Sequence, residues 1–144
     1  MFEDVFIVVE YQLFNYNGAR EILENKSLFR EIDSVLQRVK RVNHGEIQRE
    51  FYDSGWELEK RILPEVTWAW DAFKDKVAVS IELSLIDAVH RDFLRAILAH
   101  KNGHLSVLVY ITSTSHEPKF QNVKRDVAIF KDILNFPILL IGLK

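Results

Sequence analysis

Asp71 and Glu82 are the residues whose types and spacing suggest chemistry. They fall in two neighbouring segments, TWAWDAF (67–73) and KVAVSIELS (76–84), both rich in β-favouring residues, with Lys74-Asp75-Lys76 between them. The pattern is that of a β-hairpin. In the second segment Val77, Val79, Ile81 and Leu83 point one way, while Ala78, Ser80, Glu82 and Ser84 point the other. A carboxylate in a strand built for burial is costly unless paired, protonated or bound to a metal. The small polar neighbours of Glu82 leave room for a ligand.

Hairpin parity decides whether the two acids meet. With an even loop, Asp71 stands opposite Ser80 and diagonal to Glu82, their Cβ atoms about 7 Å apart. An odd loop centred on Asp75 would send Asp71 to the face of Val79 and Ile81 instead. The residues leave both registers open, and the apolar pattern prefers the even one, which keeps Asp71 out of the apolar layer. Two carboxylates on adjacent strands suit Mg²⁺, a hard cation that keeps several waters and needs only one or two protein oxygens. The chemistry expected of such a pair is metal-assisted phosphodiester hydrolysis.

Other candidates read more simply as structure. His100 and His104 flank Lys101-Asn102-Gly103, one at a helix end and one opening a strand, with no third metal ligand evident. His90 and Lys101 could touch phosphate or line an exposed helix. Trp56, Trp68 and Trp70 could stack bases, but Trp68 and Trp70 share the strand face opposite Asp71, where packing explains them. No glycine-rich phosphate loop and no nucleophile elbow is present.

The elements around the acid pair follow from period and punctuation. The chain has 144 residues, 48% apolar and 28% charged, enough for one domain (1–144) with a sizeable core. Without cysteine it has no disulfide scaffold and no thiolate chemistry, and the expected compartment is the reducing cytoplasm. No apolar run approaches the roughly 20 residues of a membrane span. The net charge of −2 gives no overall basic character, although Arg38-Val39-Lys40-Arg41 and Lys124-Arg125 are local basic clusters.

Residues 4–10 read as a strand, and Asn17-Gly18 as a turn before a helix. Ser27 is the expected N-cap of a helix carrying Leu28, Ile32, Val35, Val39 and Val42, which Asn43-His44-Gly45 breaks. A helical region follows over 46–63, interrupted at Ser54-Gly55 and ended by Pro64. After the hairpin come a helix over 85–101, a buried strand over 104–112, a helix over 118–134 and a buried strand over 136–143. Two helices each followed by a buried strand predict right-handed crossovers and a partly parallel sheet. The fold class is α/β (mixed α+β), with helices on both faces of the sheet.

This order, with three stretches of sequence, resembles the BglII-type restriction endonucleases. NGAREILENKSLFREIDSVL is similar to their N-terminal helices. WDAFKDKVAVSIELS resembles their hairpin, an Asp followed by Glu-x-Gln where the wider nuclease family has Glu-x-Lys. VLVYITS and NFPILLIGL are similar to the next core strands. The resemblance spans roughly 17–143. It implies a restriction-endonuclease-like fold, Mg²⁺- or Mn²⁺-dependent hydrolysis of duplex DNA, and a homodimer, with metal binding on Asp71 and Glu82. It places Ser84 at the third catalytic position and leaves two extra residues between the acids. Relatives also draw a glutamate from an N-terminal helix, for which Glu50 is the choice, with Glu46 and Glu57 as competitors and a solvated helix face as the plainer reading. The alternative function is a catalytically inactive nuclease fold that binds DNA or protein as a dimer.

Overall fold

The computed structural model describes residues 10–144, so the strand read over 4–10 lies, apart from Glu10, outside the described residues. In chain order the elements are β1 (Tyr11–Tyr16), α1 (Ala19–Asn25), α2 (Phe29–Arg38), α3 (His44–Asp53), β2 (Glu57–Arg61), β3 (Ala69–Lys74), β4 (Val77–Ile81), α4 (Ala88–Lys101), β5 (Val107–Ser113), α5 (Phe120–Ile129) and β6 (Ile138–Leu143). Among the described residues the strands form one sheet in the order β1-β6-β5-β4-β3-β2. The centre, β4-β5-β6, is parallel, and antiparallel strands flank it on each side.

The parallel centre explains the doubly apolar strands. Every residue of β4, β5 and β6 is buried, because helices cover both faces. On one face Val77, Val79, Ile81, Val107, Val109 and Ile111 pack against Leu23 of α1, Ile32, Val35 and Leu36 of α2, and Ile47 and Phe51 of α3. On the other, Ala78, Leu108, Tyr110, Ile138 and Leu140 meet Val89, Phe93 and Ala96 of α4 and Val123 and Val127 of α5. The alternation read along the second hairpin strand is the one observed.

Three local readings are corrected. Ser27 is not a cap: it has a positive φ of 61°, and the helix starts from Leu28 with no side-chain cap. Asn43 starts α3 instead of breaking a helix, its side chain accepting the Glu46 N–H at 3.1 Å. The helical reading beyond Ser54-Gly55 also fails. Gly55, at φ +91°, turns the chain, and Glu57–Arg61 pairs with β3 as an edge strand. Its exposed charges, Glu57, Glu59, Lys60 and Arg61, suit an edge that must not recruit further strands. Strand β1 went unread because its apolar residues are only half buried, at the opposite edge.

The hairpin is pinned to the helices by one carboxylate. Glu31 of α2 accepts the indole N–H of Trp56 at 2.6 Å and the ammonium of Lys74 at 2.7 Å. Trp56 itself is buried and packs edge-on against Phe51, with ring centroids 5.0 Å apart. Helices α2 and α3, the entry to β2 and the end of β3 therefore share one joint.

Candidate active site

The hairpin register is the even one. Ala72 pairs with Val79, Phe73 with Ala78 and Lys74 with Val77, leaving a two-residue turn of Asp75 and Lys76. Both turn residues have positive φ, 49° and 61°, as a type I′ turn requires. Continuing the register sets Asp71 opposite Ser80.

The ladder changes character at Asp71. Further pairing would give the Ile81 N–H to the carbonyl of Trp70. Instead the Asp71 Oδ2 accepts it at 2.6 Å, so the side chain replaces the strand as β3 parts from β4. The other oxygen, Oδ1, lies 3.0 Å from Nε2 of His44, the first residue of α3. One turn along the same helix, the Gln48 amide donates to the Asp71 carbonyl at 3.0 Å and to Glu59 Oε1 at 2.9 Å. Asp71 is thus clamped from β4 and from α3.

Glu82 stands one residue past the end of β4, not within the strand as the pattern suggested. Its N–H donates to the Ile111 carbonyl at 2.9 Å and extends the pairing with β5 by one position. Its Oε2 accepts the N–H groups of Leu85 at 3.2 Å and Ser84 at 3.4 Å, so the carboxylate holds the turn that leads into α4. Both acids lie at the carboxyl end of the parallel strands, where sheets of this kind commonly place ligands.

The electrostatics tie the group together. The hydrogen bond to Asp71 holds the His44 imidazole above its ordinary range against partial burial, and the charges of Asp71, Glu59 and Glu82 add to the effect. Beneath the site Ser80 neighbours Tyr110 on β5, whose hydroxyl donates to Asp92 of α4 at 2.9 Å. Burial pushes the Asp92 carboxyl up, against the Tyr110 bond and the Arg91 guanidinium, and the charge of Glu82 adds to the rise.

Ser84 and Glu50 do not join this group through their side chains. Ser84 is exposed in the bend after β4 and offers only its N–H to Glu82. Glu50 pairs with Arg38 at 2.9 Å, away from the α3 face that His44 and Gln48 present to Asp71. Glu46 is engaged by Arg41 at 3.0 Å, and Glu57 is exposed on β2.

Sequence reasoning missed His44, Gln48 and Glu59. The spacing of His44 and Gln48, four residues apart after an Asn N-cap, was the available signal. Trp70 is buried as expected, whereas Trp68 is 41% exposed beneath the Arg95 guanidinium, 4.6 Å from its ring centre.

The donors fit a hard divalent cation. Asp71 on β3 and Glu82 just past β4 each offer carboxylate oxygens, the donor type such a cation takes. Among the described residues no three His, Asp or Glu side chains are grouped closely enough to hold a metal ion, so water would complete any shell.

Comparison with known proteins agrees with this architecture. A solved structure, restriction endonuclease BglII complexed with a DNA 16-mer, superposes with a TM-score of 0.81 at 18% identity. The match covers 94% of this chain and 78% of that one. No curated protein matches the sequence. The family model described as restriction endonuclease BglII/BglIII matches residues 11–143, nearly the full length, and the chain therefore belongs to that family.

Proposed function

We propose that the protein is a divalent-metal-dependent DNA endonuclease in which Asp71 and Glu82 hold Mg²⁺ or Mn²⁺. Family membership over 11–143 supports the DNA endonuclease activity, and the relative of known structure is itself bound to DNA. The observation that carries the metal site is the even hairpin register, which brings Asp71 to the β4 end where Glu82 follows. When bound, the cation acidifies the attacking water and offsets charge on the phosphoryl group. The chain's part is geometric. The Ile81 N–H and His44 fix the Asp71 carboxylate, and the Ser84 and Leu85 N–H groups fix that of Glu82. In the overall reaction water adds at phosphorus, one P–O ester bond breaks, and the leaving oxygen takes up a proton.

Plasmid DNA incubated with the protein and Mg²⁺ or Mn²⁺ tests the activity. Nicking or linearisation is expected, falling at least about 100-fold in Asp71→Ala and Glu82→Ala. Cleavage no greater than that of the double variant would remove the enzyme claim.

The second reading is an inactive nuclease fold that binds DNA or protein. Ser84, a serine at the position to which the family resemblance assigns a third catalytic side chain, favours it. Millimolar Mg²⁺ or Mn²⁺ separates the two, raising the Tm of a working site and leaving a silent one unmoved.

Under either reading the chain acts as a homodimer. The outer side of α4 exposes Leu94 (66%) and Leu98 (38%), beside Phe130 (37%) and Ile133 (57%) after α5. This apolar face is continuous enough to suit a second copy.

A further inference from the structure

We propose that His44 is a positioning residue for the cation, holding one oxygen of Asp71 so that the remaining lone pairs face the metal. The proposal rests on the reading that Asp71 and Glu82 form the cation site, and it assigns the N-terminal turn of α3 a part in that site.

A carboxylate has about four lone-pair positions. Asp71 gives one on Oδ2 to the Ile81 N–H and one on Oδ1 to His44, which leaves one on each oxygen. An acid held on both oxygens cannot turn about its terminal bond, so its free lone pairs keep a fixed direction. Carboxylate oxygens only accept hydrogen bonds, so the His44 Nε2 must carry the hydrogen.

The clamp is built by the helix start. Asn43 caps α3, which makes His44 the first helical residue, and Gln48 stands one turn later on the same face. His44 grips the side chain of Asp71 while Gln48 grips its carbonyl, at 3.0 Å each. The arrangement matters most because Ser80, opposite Asp71, supplies no second carboxylate on that strand pair. With so few protein oxygens, the direction of each counts for more in binding.

Hydrogen-bond partners of metal-ligating carboxylates typically contribute about 10–100-fold in affinity. Titrating Mn²⁺ into the full chain, with free Mn²⁺ read by electron paramagnetic resonance, tests the role without any cleavage measurement. His44→Ala is expected to weaken Mn²⁺ binding by about 10-fold or more. His44→Gln, which keeps an N–H donor, is expected to recover most of it. The imidazole is 46% exposed and leaves no core cavity when truncated, so both variants should fold, and their metal-free Tm checks this.

Wild-type or tighter binding in His44→Ala, with loss in Asp71→Ala, would overturn the positioning role alone. Equal loss in His44→Ala and His44→Gln would overturn it too, since a donor would not then be what matters. Wild-type binding in Asp71→Ala would overturn the reading of the acid pair, and the proposal with it.

Discussion

At the residue scale, the carboxylate held by α3 and the one carried on α4 bear different burdens. Asp71 is held by donors at the protein surface, whereas Asp92 is buried under Tyr110 with its carboxyl pushed up by desolvation. A carboxyl whose folded pKa lies above its unfolded one, near 3.9, binds more protons in the folded state. It therefore costs nothing below the unfolded value and destabilises increasingly as pH rises toward the folded value. Asp92→Asn removes this cost while keeping an oxygen for the Tyr110 hydroxyl. The variant's Tm, relative to wild type, should therefore climb between pH 3 and pH 7. A difference that stays constant across that range would contradict the sign. Asp71 was legible in the sequence as an acid at odds with its apolar strand. His44 was not, because its meaning comes from α3 docking against β3, a contact between residues 27 positions apart.

At the element scale, the hairpin shows what period can and cannot reveal. The alternation of Val77, Val79 and Ile81 against Ala78 and Ser80 predicted both faces correctly, because each is buried against a separate helical layer. The turn lacks the usual glycine, and its type is set by register and not by favourable residues. Lys76 adopts the left-handed region at φ 61°. That conformation costs a non-glycine residue roughly 1–2 kcal/mol, against roughly 0.5–1 kcal/mol for the extra freedom that glycine loses on folding. Lys76→Gly should therefore stabilise the fold by up to about 1.5 kcal/mol, read as a higher urea midpoint with unchanged slope. Destabilisation would show that Lys76 makes a contact worth more than the strain. Strand β2 was misread for the opposite reason. Phe51, Leu58 and Ile62 keep a helical spacing by accident of sequence, and the pairing of β2 with β3 outweighs local propensity.

At the scale of the whole molecule, the succession of hairpin, helix, strand, helix and strand was enough to predict a mixed sheet with covered faces. The crossovers β4-α4-β5 and β5-α5-β6 leave few other ways to bury strands that are apolar on both sides. The apolar stripe of α4 is wider than its own sheet absorbs, and Leu94 and Leu98 stay exposed on its outward side. Leu94 is the most exposed of its leucines, and Leu94→Glu should convert a dimer to a monomer in sedimentation velocity. The unfolding free energy of the isolated chain should change by no more than roughly 0.5 kcal/mol, as for ordinary surface changes. A wild-type chain that sediments as a monomer at high micromolar concentration would remove the homodimer.

The joint at Glu31 has a bearing on how this molecule breathes. Because one carboxylate ties the Trp56 indole and the Lys74 ammonium to α2, the hairpin tip cannot open by itself without stranding two donors. Partial opening of the sheet at that end must carry α2 and the close of α3 along as a single cooperative unit. Amide protons in β3 and in α3 should then exchange with solvent at a common rate, despite lying in separate layers and separate stretches of the chain.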